Sequence, residues 1–155
     1  MSLSVTVNGA THPVEAGDQT PLADYLRDTL KLKGTRLGCG EEMCGACVVL
    51  VDGQPRHACQ LELGHLAGSA GETVEARAGS PTGRRLLDSF EQHQAAQCGF
   101  CTSGILMRAH ALLAACTAGT PCTRDGVVRA LEPHLCRCGA HPRMIAAVQS
   151  AAAGA

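Results

Sequence analysis

The chain has 155 residues, with 13 Lys and Arg against 14 Asp and Glu. That balance gives no electrostatic footing for nucleic acid or an anionic membrane surface, and no run approaches the ~20 apolar residues of a membrane span. Tyr25, Phe90 and Phe100 are the only aromatics and Trp is absent, so the core must come from Leu, Val, Ile and Ala. Such small side chains bury little area each, at roughly 25 cal/mol per Å². Two domains of about 75 residues built this way are each marginal without a staple. The ten cysteines are candidates for one.

Leu3, Val5 and Val7 alternate with Ser4 and Thr6, the period-2 pattern of a half-buried strand. Asn8-Gly9 is a hairpin turn, and His12 to Ala16 is the expected returning strand. Thr20 reads as an N-cap with Pro21 at the first helical position, and Leu22, Tyr25, Leu26 and Leu30 follow at helical spacing. Val48 to Val51 reads as a buried strand stopped by Asp52-Gly53, and Thr73 to Ala76 as a last short one. The first unit is therefore a mixed sheet with a helix across it. Arg77 to Gly83 has the composition of a linker.

Beyond that linker the period changes. Leu86, Leu87 and Phe90 form one helical stripe, and Ile105, Leu106, Ala109, Leu112, Leu113 and Cys116 a longer one. Val127, Val128, Leu131 and Leu135 make a third; Met144, Ile145 and Val148 make a fourth. Four amphipathic helices in so short a stretch make a small bundle, with Ala151 to Ala155 a frayed tail. The expected division is residues 1–76, a linker at 77–83, and residues 84–155.

Met1 to Ala10 lacks the basic start and apolar stretch of a signal peptide. With no sign of secretion, dense cysteine points to metal rather than disulfides. The cytoplasm is the expected compartment, with periplasmic export on a partner's signal left open. In the first unit the order is Cys39-x4-Cys44-x2-Cys47, then Cys59. This is the plant-type [2Fe–2S] spacing: three thiolates come from one loop wrapped around the cluster and the fourth from beyond the next strand. Glycines beside the ligands let backbone N–H groups approach sulfur. Structural zinc wants paired Cys-x2-Cys knuckles, and only one such pair occurs. A thioredoxin-like Cys44-x-x-Cys47 needs a βαβ context that is missing.

The second unit holds Cys98-x2-Cys101 ahead of one helix and Cys136-x-Cys138 past another. Four thiolates can meet at one end of the bundle, for a cluster or, taken alone, for zinc. Cys116 sits on an apolar stripe, as a buried thiol does. Cys122 lies after the Gly119-Thr120-Pro121 turn, beside the N-cap Thr123. Neither receives a function. The seven histidines are scattered and show no His-x3-His helical pair, so most read as surface residues. No P-loop, dinucleotide fingerprint, nucleophile elbow or HExxH occurs, so the chain carries no self-contained catalytic apparatus.

Gly38-Cys39-Gly40-Glu41 through Cys44-Gly45-Ala46-Cys47, Gln97-Cys98-Gly99-Phe100-Cys101-Thr102 and Leu135-Cys136-Arg137-Cys138-Gly139 together resemble the small iron–sulfur subunits of the xanthine oxidase (molybdenum hydroxylase) family. The resemblance spans residues 3 to about 150. It implies an α+β architecture: an N-terminal β-grasp plant-type ferredoxin domain followed by a C-terminal four-helix bundle. It implies two [2Fe–2S] clusters, a distal one on Cys39, Cys44, Cys47 and Cys59 and a proximal one on Cys98, Cys101, Cys136 and Cys138. The proximal cluster lies nearest a molybdenum–pterin cofactor bound by the partner, with Gln97 and Cys138 touching the pterin. The implied main partner is a large molybdenum-cofactor subunit. The next carrier is an FAD subunit or a cytochrome c.

Three positions depart from many relatives: Glu42 replaces Gly, Ser103 replaces Pro, and Gly139-Ala140-His141-Pro142-Arg143 replaces Thr-Gly-Tyr. That ending looks more like the isoquinoline, nicotinate and aldehyde oxidoreductase small subunits than like xanthine dehydrogenase. Glu42 sets a carboxylate near the distal cluster, where negative charge lowers the potential. The implied reaction is hydroxylation of an N-heteroaromatic ring or oxidation of an aldehyde, performed on the partner's molybdenum while this chain carries electrons. A free-standing two-cluster ferredoxin and a zinc-stapled interaction module are the rivals. An apolar face around Gln97 and Cys138 separates the subunit from the free carrier.

Overall fold

The computed structural model describes residues 3–116 and 121–154. The alternating Leu3–Val7 segment is β1, and the Asn8-Gly9 turn returns it antiparallel as β2 (Ala10–Val14). β2 is an edge strand, which is why Pro13 costs it no ladder hydrogen bond. Helix α1 (Leu22–Asp24) begins one residue later than expected and runs on as a π-helical turn, Tyr25–Thr29. Pro21, with ψ 136°, stands in the N-cap place and Thr20 makes no cap.

Strand β3 (Val48–Val51) forms a hairpin through Asp52-Gly53 with β4 (Gln54–His57). The polar Gln-Pro-Arg-His sequence of β4 carries no strand signal, and the chain adopts it because the turn and the edge position allow it. After a 3₁₀ turn at Leu63–Leu66 comes β5 (Ala70–Glu72), parallel to β1 and antiparallel to β3. The sheet order is β2-β1-β5-β3-β4. The Thr73–Ala76 segment expected as strand becomes the N-cap and body of α2 (Val74–Ala78). Arg77 to Gly83 contains the end of α2 and the first turn of α3.

Helices α3 (Pro81–Gln92), α4 (Thr102–Ala115), α5 (Arg124–Leu131) and α6 (His141–Ala153) follow the four stripes. Ser80 caps α3 by accepting the Gly83 N–H, and Thr123 caps α5 from Gly126. Leu135 falls outside its helix and is exposed. The alanine tail does not fray at Ala151, which is buried in α6. Leu86, Phe90, Ile105, Leu131, Met144 and Val148 make the helical core. Val5, Val7, Leu22, Leu26, Val49 and Leu63 make that of the sheet.

β3 joins the two units. Val49 and Val51 face α1 on one side of the sheet, while Val48 and Leu50 pack on Met107 of α4 on the other. Burial on both faces explains its unbroken apolar run. At the head of α4, Gly104 lies against the carbonyl of Gly45, and a Cβ there would overlap that oxygen. Backbone cannot step aside as a flexible side-chain tip can. Gly104→Ala should therefore lower stability by about 1–3 kcal/mol, with roughly 2–4 °C of melting temperature per kcal/mol at this chain length. Thermal unfolding of the purified protein checks this, and an unchanged melting temperature would show that the contact does not join the units.

Candidate metal centres

Eight of the ten cysteines are free thiols, and they are the eight that the spacing singled out. In the first unit they form two pairs. The Cys39 and Cys44 sulfurs share the loop, with Cys39 N–H donating to Cys44 Sγ at 3.4 Å and Cys44 N–H donating back to Cys39 Sγ at 3.4 Å. Buried Cys47 pairs with buried Cys59, brought from beyond β4. In the second unit the Cys98 thiol meets that of Cys138, and the Cys101 thiol meets that of Cys136. The second set lies where α4 begins and where the α5–α6 connection turns, with Cys101 at the N-cap of α4.

Two thiols for each of two irons is the donor arrangement of a [2Fe–2S] core. Among the described residues, no three Cys, His, Asp or Glu side chains gather round a point fit for one metal ion. Two pairs in each set, each bringing two thiols together, match the donors of a two-iron cluster.

The sulfur environments differ in a consistent way. N–H groups of Glu41, Met43 and Cys44 reach Cys39 Sγ at 3.3, 3.3 and 3.4 Å. The Glu41 N–H leads in drawing that thiol down to about 7. The Phe100 N–H likewise leads in lowering Cys98. Burial pushes Cys47 and Cys101 up to about 12. Each set therefore has one exposed, readily ionised thiol and one buried thiol that needs a metal's charge to hold its thiolate. Backbone hydrogen bonds to sulfur are the loop property a cluster requires. Glu42 sits at φ 57°, a left-handed position that glycine takes without strain.

Between the two sets is a group the sequence reading missed. Its centre is His134, which is buried; His110 is buried too, elsewhere on α4 against Ser80, and the two are exceptions to the reading of most histidines as surface residues. The His134 ring packs on Gly45, whose φ of 74° and lack of a Cβ make the room. Its Nε2 accepts from Arg108 Nε at 3.4 Å, and its Nδ1 is buried without a protein partner. Burial first, then Arg108, His57 and His141, hold this imidazole down to about 4. Leu135 N–H donates to the Cys44 carbonyl at 3.0 Å, so the two cysteine loops are hydrogen-bonded backbone to backbone. A polar Arg108 inside an apolar helical stripe was the one available signal.

Cys116 and Cys122 also correct the sequence reading. Cys116 is no buried core thiol: α4 ends at Ala115, Cys116 is half-buried, and it forms a disulfide with Cys122 at a Cα separation of 5.5 Å. The Gly119-Thr120 part of the expected turn lies outside the described residues. Gln97 is exposed beside the second set, its Nε2 at 3.5 Å from the Cys138 carbonyl.

Comparison with known proteins settles the family. A family described as "2Fe-2S iron-sulfur cluster binding domain" matches residues 5–78, and one described as "[2Fe-2S] binding domain" matches residues 73–149. The chain is 38% identical over 151 residues to the 6-hydroxypseudooxynicotine dehydrogenase complex subunit beta of Paenarthrobacter nicotinovorans, covering 96% of this chain and 92% of the relative. The chain belongs to the small iron–sulfur subunits of the molybdenum hydroxylases. It is also similar to the nicotine 6-hydroxylase small subunit of Paenarthrobacter nicotinovorans, 37% identical over 97% of this chain and 89% of the relative. This small subunit superposes on the crystal structure of quinoline 2-oxidoreductase from Pseudomonas putida 86 with a TM-score of 0.86 at 35% identity, covering 99% of this chain and 94% of the other. The expected α+β architecture holds.

The thiol environments give a test of the ligand sets. Cys47→Ser should abolish one of two EPR signals in the reduced protein, and Cys101→Ser the other. Cys116→Ser should leave both intact. In folded cluster-free protein, Cys39 should be alkylated at lower pH than Cys47 and Cys101, because backbone N–H groups lower the first thiol and burial raises the other two. Loss of both signals in a single variant would contradict the partition.

Proposed function

We propose that the small subunit carries electrons out of a molybdenum hydroxylase, from a partner's molybdenum–pterin site to an external acceptor, as an N-heteroaromatic compound is hydroxylated or an aldehyde oxidised. The observation that carries this is the hydrogen bond from Leu135 N–H to the Cys44 carbonyl, which ties one thiol set to the other through backbone. The clusters supply one-electron storage at two places. Cys39, Cys44, Cys47 and Cys59 would hold one, and Cys98, Cys101, Cys136 and Cys138 the other. The protein's part is to hold both sites rigid and to choose what each faces.

The rim around the sites favours a subunit over a freely diffusing ferredoxin. Met43 is 68% exposed, Leu135 65% and Phe100 48%, all within a few residues of a ligand. Phe100 of the second unit also reaches the Gly38 position beside Cys39 of the first. Apolar side chains gathered around thiols suit burial against another chain. The partner of choice is a large molybdenum-cofactor subunit, with Gln97 and Cys138 facing the pterin. An FAD subunit or a cytochrome c would take the electrons from the side of Cys39. Among the described residues no helix is long and apolar enough to cross a membrane. The cytoplasm suits eight reduced thiols, whereas the Cys116–Cys122 bridge favours export of the folded complex.

Rapid mixing of the assembled complex with its N-heteroaromatic or aldehyde substrate, following cluster bleaching, tests the pterin contact. Gln97→Ala should form both clusters, since an amide is not a ligand here. It should slow bleaching by roughly five- to 150-fold, as a buried pterin group loses a hydrogen-bond partner at about 1–3 kcal/mol. Gln97→Glu should be slower still, because it buries an unpaired carboxylate. Parent rates in both variants would remove Gln97 from the pterin site and favour the free carrier.

A further inference from the structure

Arg108 occupies an unusual place for a cation. It lies one helical turn beyond Gly104 on α4, on the side of the helix that meets Gly45. Its Nε–H is directed at His134, two residues before Cys136. The same guanidinium acts on His57, which closes β4 two residues before Cys59 and is paired in register with Val48. The cation therefore stands between the approaches to both thiol sets.

Among the described residues no ion pair neutralises it. The ion pairs among the described residues are Lys33–Asp28, His65–Glu62 and Arg77–Glu72, and Arg108 joins none of them. Burial draws the guanidinium down from its usual range. Its surroundings are imidazoles: His134, which accepts its hydrogen bond, with His57 and His141 behind. The one acid felt in this group is Glu42, which acts on His57 from an exposed loop. A half-buried, unpaired charge loses part of its hydration, and negative charge beside it offsets that cost. Thiolate-bound clusters provide that, and each gains a further negative charge on reduction.

We infer that Arg108 is the fixed counter-charge shared by the two cluster sites, a positioning residue that raises both reduction potentials and so keeps electrons on the chain until an acceptor takes them. The inference rests on the two-cluster reading of the eight thiols. The guanidinium works through its field rather than as a ligand, and its half-burial lessens the screening of that field. Packing on His134 keeps it in place, and His134 in turn braces Gly45.

EPR-monitored redox titration of the full holoprotein tests it. Arg108→Gln keeps a hydrogen-bonding side chain and removes the charge; both midpoint potentials should fall. Arg108→Lys keeps the charge and should retain most of the parent potentials. Arg124→Gln, which removes an exposed cation from α5, should change neither. Unchanged potentials in Arg108→Gln with both clusters at full spin count would overturn the inference. An equal fall in the Gln and Lys variants would also overturn it, since the cause would then be the lost fit against His134 rather than charge. A parent protein without two clusters would instead overturn the two-cluster reading itself.

Discussion

The seam between Gly45 and Gly104 is the contact on which the remaining geometry depends. Cysteine loops are irregular backbone, with left-handed glycines at 40, 45, 99 and 139 and few internal backbone–backbone hydrogen bonds. Such loops have no regular ladder of their own to hold them, so neighbouring elements must. Here the head of α4 sits on the Gly45 carbonyl, and Leu135 N–H closes on the Cys44 carbonyl. Each thiol set is thereby braced by the other domain. β3 extends the same bracing into the core, since its alternate valines and leucine pack on α1 and on α4.

Small residues make this close approach possible. Ala109, Ala140 and Ala147 are fully or almost fully buried, and the Ser89 hydroxyl donates to the Ala147 carbonyl at 2.7 Å. Helices that meet through alanine and serine come near one another but gain little burial energy per residue. A chain built so gains stability from metal as well as from packing, because binding free energy at a structural metal site is folding free energy. The division of cysteines accords with that. Eight thiols are left free for two clusters, and only Cys116 and Cys122, at the α4–α5 connection, form a disulfide.

Much of this was legible in the sequence because cysteine spacing and apolar period are local signals. The Cys39-x4-Cys44-x2-Cys47 loop, the Asn8-Gly9 turn and the stripes of α3, α4 and α6 depend on neighbours a few residues away. What stayed hidden depends on partners far along the chain. β4 is a strand because β3 offers an edge, and no property of Gln54 to His57 announces it. Leu135 matched its helical stripe, yet its backbone is claimed by Cys44 and its side chain left for a surface. His134 looked like any histidine until Gly45 and Arg108 enclosed it. Cys116 fitted an apolar face, and only the end of α4 turned it toward Cys122.

The braced loops imply that both cluster sites exist in one chain at a single, well-defined separation. Low-temperature EPR of the fully reduced holoprotein, with spin counting and pulsed measurement of cluster–cluster coupling, addresses that most directly. The account predicts two spins per chain from two distinct [2Fe–2S] centres and a narrow coupling that reports one distance. One spin per chain, stoichiometric zinc, or two spins with a broad spread of couplings would contradict it.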